Sequence, residues 1–73
     1  MKRKEDVLRK FGKQVAFLRR QQHLTVGDLA ASAHLDPSRI RDIEAGRVNL
    51  LFTTIIALAK GLGVNPQELL KSL

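Results

Sequence analysis

Thr25-Val-Gly-Asp-Leu-Ala-Ala-Ser-Ala-His-Leu-Asp-Pro-Ser-Arg-Ile-Arg-Asp-Ile-Glu-Ala-Gly46 is the stretch that decides the fold of this chain. Leu29, Ala30 and Ala33 recur at helical spacing and give a first short helix one apolar face, and Ile40 and Ile43 do the same for a second. Between them stand only His34-Leu35-Asp36, too few residues for anything but a sharp angle. Asp36 followed by Pro37 is a start signal: Asp offers its carboxylate to free N–H groups, and Pro tolerates the first helical position, where its missing donor is harmless. Gly46 is a stop. The spacing predicts a helix-turn-helix over about residues 25–46.

Working outward, Val7/Leu8, Phe11, Val15 and Leu18 recur at three and four residues and predict a helix over about residues 4–22. Thr25 is the predicted cap of a helix over about residues 26–33, and the next is predicted over about residues 37–45. Arg47-Val-Asn-Leu-Leu reads as a loop into a helix over about residues 52–62, ended by Gly63. Asn65-Pro66 then starts a last helix, with Asn as cap, Glu68 in the first turn and Leu69, Leu70 and Leu73 apolar. No strand pattern, repeat or linker interrupts the series. The expectation is an all-α single domain over residues 1–73, with five compactly packed helices and a basic tail at residues 1–4.

Composition narrows the function. A chain of 73 residues is small for a self-sufficient core, and with no cysteine it has neither disulfides nor a thiolate metal site. No apolar run approaches the roughly 20 residues of a membrane span, and no signal peptide is visible, so a cytoplasmic location is expected. The net charge of +6 comes from 13 Lys and Arg against 7 Asp and Glu, and favours polyanions, nucleic acid first. A helix-turn-helix in so basic a chain points to double-stranded DNA. Enzyme chemistry finds no support: there is no Ser/His/Asp set around a pocket, no glycine-rich phosphate loop and no paired carboxylates. His23 and His34 lack converging partners, so no metal and no cofactor is expected.

Phe11-Gly12 with Val15, Leu18-Arg19, Leu24-Thr25, Asp28-Leu29-Ala30, Ile40, Ile43-Glu44 and Gly46 resemble the lambda-repressor/Cro-like (XRE-type) helix-turn-helix family. Asn49, Thr54, Leu58-Ala59-Lys60, Leu62-Gly63-Val64 and Glu68-Leu69 continue the likeness to about Leu70. The unbroken Asn49-Leu50-Leu51, without the family's frequent proline, looks like the small controller proteins of restriction–modification systems. The resemblance implies a transcriptional repressor or controller that places its third helix in the major groove of an operator as a two-fold homodimer. It also implies that Arg19 and Glu44 bridge the first and third helices, and that His23 and His34 stand where the family turns the chain with glycine. Val26 replaces a frequent DNA-contacting glutamine, leaving only a thymine methyl within its chemistry.

With Ile40 and Ile43 inward, Ser38 and Asp42 point outward, flanked by Arg41 and Ala45 on one side and Arg39 on the other. The positions matching the family's base readers are Val26, Pro37, Ser38 and Asp42. Ser38 and Arg39 are expected to reach base edges or the adjacent phosphate. Asp42 either accepts from a cytosine amino group or pairs with Arg39 or Ser38 on the helix surface. Arg41 is either a phosphate contact or a solvated charge. Arg47 and Asn49 follow in the loop where the family contacts phosphate, and Thr25 caps a helix start able to hold one. Lys2, Arg3 and Lys4 form either a nonspecific DNA-binding arm or a disordered tail. Phe17, Phe52, Leu69, Leu70 and Leu73 either fill the core, form a dimer interface or meet another protein. In that last case the chain is a protein-binding module, such as the antitoxin of a toxin–antitoxin pair.

Overall fold

The computed structural model describes residues 3–71 and 73. Its elements are α1 (Lys4–Gln21), α2 (Val26–Ala33), α3 (Pro37–Glu44), α4 (Phe52–Leu62) and α5 (Pro66–Leu70), with no strand among the described residues. Helices α1 and α3 each stop one residue short of the sequence expectation, at Gln22 and Ala45, which are their C-caps. The expected basic tail is partly helix, since Arg3 is the N-cap of α1 and Lys4 its first residue; Lys2 lies outside the described residues.

The core draws on every helix: Val15, Leu29, Ile40, Ile43, Leu58 and Leu69 are the largest side chains wholly out of water. Helix α1 carries Glu5 and Asp6 in its first turn and Arg19 and Arg20 in its last, each placed favourably for the helix dipole. Thr25 opens α2 with a reciprocal capping box: its Oγ1 accepts from the Asp28 N–H at 2.9 Å, while its own N–H donates to Asp28 Oδ2 at 2.9 Å. Those bonds, backbone first, hold the Asp28 carboxyl below the usual carboxylate range.

Asp36 and Asn65 were expected to cap α3 and α5 through their side chains, and neither makes that bond. Proline at the first position removes one N–H. The third N–H is already taken by the cap residue's own carbonyl, Arg39 to Asp36 at 3.0 Å and Glu68 to Asn65 at 2.9 Å. Only the second N–H, of Ser38 or of Gln67, escapes both constraints, and neither cap side chain takes it.

Helices α1 to α4 all close through one device. A residue in left-handed conformation lets the next N–H reach back five residues: Leu24 to Arg19, Leu35 to Ala30, Arg47 to Asp42 and Val64 to Ala59. The turning residues are His23 (φ 59°), His34 (φ 58°), Gly46 (φ 73°) and Gly63 (φ 68°). Histidine thus occupies two turns that glycine would fill without strain, at a cost of about 1–2 kcal/mol each.

Helix α1 passes so close to the end of α3 that only glycine fits at position 12. A Cβ there would sit 2.8 Å from the Glu44 carbonyl carbon and closer still to the Ile43 carbonyl oxygen. Both obstacles are backbone and cannot swing aside. Gly12→Ala is therefore expected to destabilise the chain by about 1–3 kcal/mol through forced separation of α1 and α3, read as a lower urea midpoint with the helical circular-dichroism signal retained.

Candidate nucleic-acid interface

The seam between α1 and α3 is locked by one ion pair. Arg19 Nε donates to Glu44 Oε2 at 2.7 Å and Nη2 to Oε1 at 3.0 Å, a two-pronged fit of guanidinium to carboxylate. The remaining Nη1 donates to the Leu24 carbonyl at 2.9 Å, so the same side chain ties down the entry to α2. Both side chains are about nine-tenths buried, and the bond to Glu44 raises the Arg19 pKa above its ordinary value, burial opposing it.

This lock sets the attitude of an exposed surface. On α3, Ser38, Arg41 and Ala45 lie open to solvent on one face, with Asp42 beside them half-buried, opposite Ile40 and Ile43 in the core. Pro37 is exposed at the helix start. Asp42 pairs with Arg47 at 3.2 Å, not with Arg39 or Ser38. The five-residue turn through Gly46 folds Arg47 back over the end of α3, and that juxtaposition is invisible in helical spacing. Arg39 leans the other way, its Nη2 3.4 Å from the buried Thr54 Oγ1 on α4. Asn49 is exposed in the following loop. Thr25 is exposed at the start of α2, while Val26 is partly turned against the core.

The apolar residues separate. Phe17, Phe52, Leu70 and Leu73 are exposed, but Leu69, expected alongside them, is fully buried and belongs to the core. Leu69 and Leu70 are chain neighbours, and one helical step of 100° sends one inward and the other out. Leu51, not singled out from the sequence, is 66% exposed as the uncapped entry to α4. Its apolar type at a position that favours Ser, Thr or Asp was the available signal. Two further contacts were not foreseen: Gln14 donates to the Glu68 carbonyl at 2.9 Å, and Gln22 to the Leu62 carbonyl at 2.7 Å. Among the described residues no group of His, Asp and Glu is placed to hold a metal ion, and no helix is long and apolar enough to cross a membrane.

The sequence profile of the family described as helix-turn-helix matches residues 15–69, from the second half of α1 through α2, α3 and α4 and into α5. The chain belongs to the XRE-type helix-turn-helix family. It is a DNA-binding transcription regulator, as the family's members are. Among solved structures it is similar to the restriction-modification controller protein C.AhdI from Aeromonas hydrophila, with 35% identity and a TM-score of 0.83 over 85% of this chain and 94% of that one. It is also similar to the wild-type controller protein C.Esp1396I, with 28% identity and a TM-score of 0.82 over 89% of this chain and 84% of that one. The clp gene regulator ClgR from C. glutamicum shares the fold at 18% identity, with a TM-score of 0.85 over 90% of this chain and 86% of that one. No curated protein matches the sequence.

The lock is open to direct test. Glu44→Gln leaves a nine-tenths-buried guanidinium half-partnered, and a loss of about 3–5 kcal/mol in urea unfolding is expected. Replacing both partners, Arg19→Met with Glu44→Leu, is expected to restore much of that loss, because no buried charge is then left alone.

Proposed function

We propose that the chain acts as a repressor or controller that docks α3 in the major groove of an operator, as a two-fold homodimer. The carrying observation is the open face of Ser38, Arg41 and Asp42 on α3, flanked by Arg47 and the start of α2 and held at a fixed angle by Arg19 and Glu44. In this reading Ser38 and Asp42 meet base edges at the groove floor, with Pro37 and Val26 making apolar contacts beside them. Arg41, Arg47, Asn49 and the cap of α2 at Thr25 take phosphates, and Arg39 uses the guanidinium N–H groups not aimed at Thr54.

Asp42 brings a negative charge to a surface that must approach phosphates. Its pairing with Arg47 offsets part of that repulsion. Arg47 is largely exposed and Asp42 half so, and the solvent-screened pair contributes only about 0.2–1 kcal/mol. A phosphate can therefore draw Arg47 away, leaving the Asp42 carboxylate to accept from a cytosine amino group.

The dimer contact falls on Leu51 and Phe52. Residues 48–59 contain no charged side chain, so two copies can bring this region together without repulsion. The exposed ring of Phe52 and its neighbour Leu51 each stabilise such a contact by about 1.5–3 kcal/mol when fully buried. The same residues serve the second reading, an antitoxin whose apolar surface covers another protein.

Selection from a random duplex DNA pool at near-physiological salt, followed by sequencing, is expected to yield a two-fold symmetric motif with half-sites about one helical turn apart, roughly 34 Å. Asp42→Ala is expected to relax the preference at a single base pair per half-site, by about 1–3 kcal/mol. No enriched motif, with binding that vanishes as salt rises, would turn the assignment toward the antitoxin. Phe52→Glu is expected to raise the dimer dissociation constant at least about tenfold in sedimentation equilibrium, with operator affinity falling alongside.

A further inference from the structure

We propose that the outer face of α1 is a second interaction surface, one that receives an acidic protein segment bearing a single apolar anchor. Helix α1 sends Phe11, Val15 and Leu18 inward, yet Phe17 stands 55% exposed on its solvent side. One turn before it is Lys13, two turns before it Lys10 and one turn after it Arg20, all exposed and none in an ion pair among the described residues. Phe17 is the wall between two shallow hollows. One, of about 630 Å³, is lined by Lys13, Arg20 and Gln21 and reaches Glu44. The other, of about 350 Å³, is lined by Lys10, Lys13 and Gln14. A ring with a hollow and cations on both sides has the form of an anchor site within a basic rim.

The carboxylates nearby do not neutralise the rim. Glu44 already receives two hydrogen bonds from Arg19, and Asp6 lies 3.9 Å from Arg3. The face therefore keeps its positive charge for a partner. A second copy is a poor occupant, because a two-fold contact centred on Phe17 would press Lys10, Lys13 and Arg20 against their own equivalents. Phosphate is a poor occupant too, since a DNA backbone uses the cations but gives the ring nothing to bury against. An acidic segment with one Phe or Leu uses both parts. The uncharged Leu51–Phe52 entry to α4 has the opposite character and suits self-association, so the two apolar surfaces call for different partners. This assignment holds whether or not α3 reads an operator.

The test is a nuclear magnetic resonance titration of the full chain with a short synthetic helical peptide carrying one Phe flanked by Glu residues. Its control is the same peptide with Ser in place of Phe. Amide shifts are expected along the outer side of α1, with affinity at least about tenfold weaker for the control peptide, and equally weaker for Phe17→Ser. Lys13→Glu with Arg20→Glu is expected to abolish binding while the unshifted core amides report an intact fold. Equal affinity for the two peptides, shifts scattered over the basic surface or no binding overturns the proposal. So does a dimer that dissociates in Phe17→Ser, which would make this face a contact between copies. An equal loss of affinity for random duplex DNA in Phe17→Ser would make it a phosphate-binding surface instead.

Discussion

A guanidinium clamped flat on a carboxylate inside the α1–α3 seam governs this small molecule. Arg19 meets Glu44 with two donors and the Leu24 carbonyl with a third, so one side chain fixes α1, the entry to α2 and the end of α3 together. Lysine could not substitute, because a point charge cannot hold the two-pronged geometry and the carbonyl at once. Helix α3 has eight residues, well short of what stands alone in water. Its direction is therefore not its own property. The salt bridge on one side, the backbone approach at Gly12 beside it and Ile40 and Ile43 beneath set that direction, and the exposed face of α3 inherits it.

The helices were legible because apolar spacing and punctuation agree along the chain: Phe11, Val15 and Leu18 mark α1, and Leu58 and Leu62 mark α4. Family likeness supplied the Arg19–Glu44 partnership, which spacing alone does not reveal. What sequence could not give was any contact made by a turn. Asp42 meets Arg47 only because Gly46 folds the chain back, and Gln14 and Gln22 find carbonyls on α5 and α4 only once those helices are packed. Asp36 and Asn65 do stand at the N-caps as residue type suggests, but their side chains make no capping bond, and the third N–H goes to the cap residue's own carbonyl. Leu69 and Leu70 differ by one helical step, too fine a distinction for a five-residue helix without its neighbours.

Charge divides the surface into regions of different character. The α3 face carries Arg41 and a weakly paired Asp42 and Arg47. The entry to α4 is apolar and uncharged, and the outer side of α1 is basic around one aromatic ring. These regions differ in kind, so the proposed contacts with a DNA groove, a second copy and an acidic partner would not compete for the same side chains. Among the described residues no buried side-chain polar atom lacks a hydrogen-bond partner, so the polar groups that remain for binding lie at the surface.

The attachment of α5 has a consequence for how the molecule breathes. Five residues cannot sustain a helix by themselves, and this one is held by the buried Leu69, by the Gln14 amide on its Glu68 carbonyl and by a surface pair between Glu68 and Lys71. Its backbone protection against hydrogen exchange is thus borrowed from α1 and α4 and belongs to the shallow end of the local opening spectrum. None of the bonds that hold α5 involves Arg19 or Glu44, so opening of the terminal turn would uncover the Leu69 socket and leave the hydrogen bonds of that seam in place.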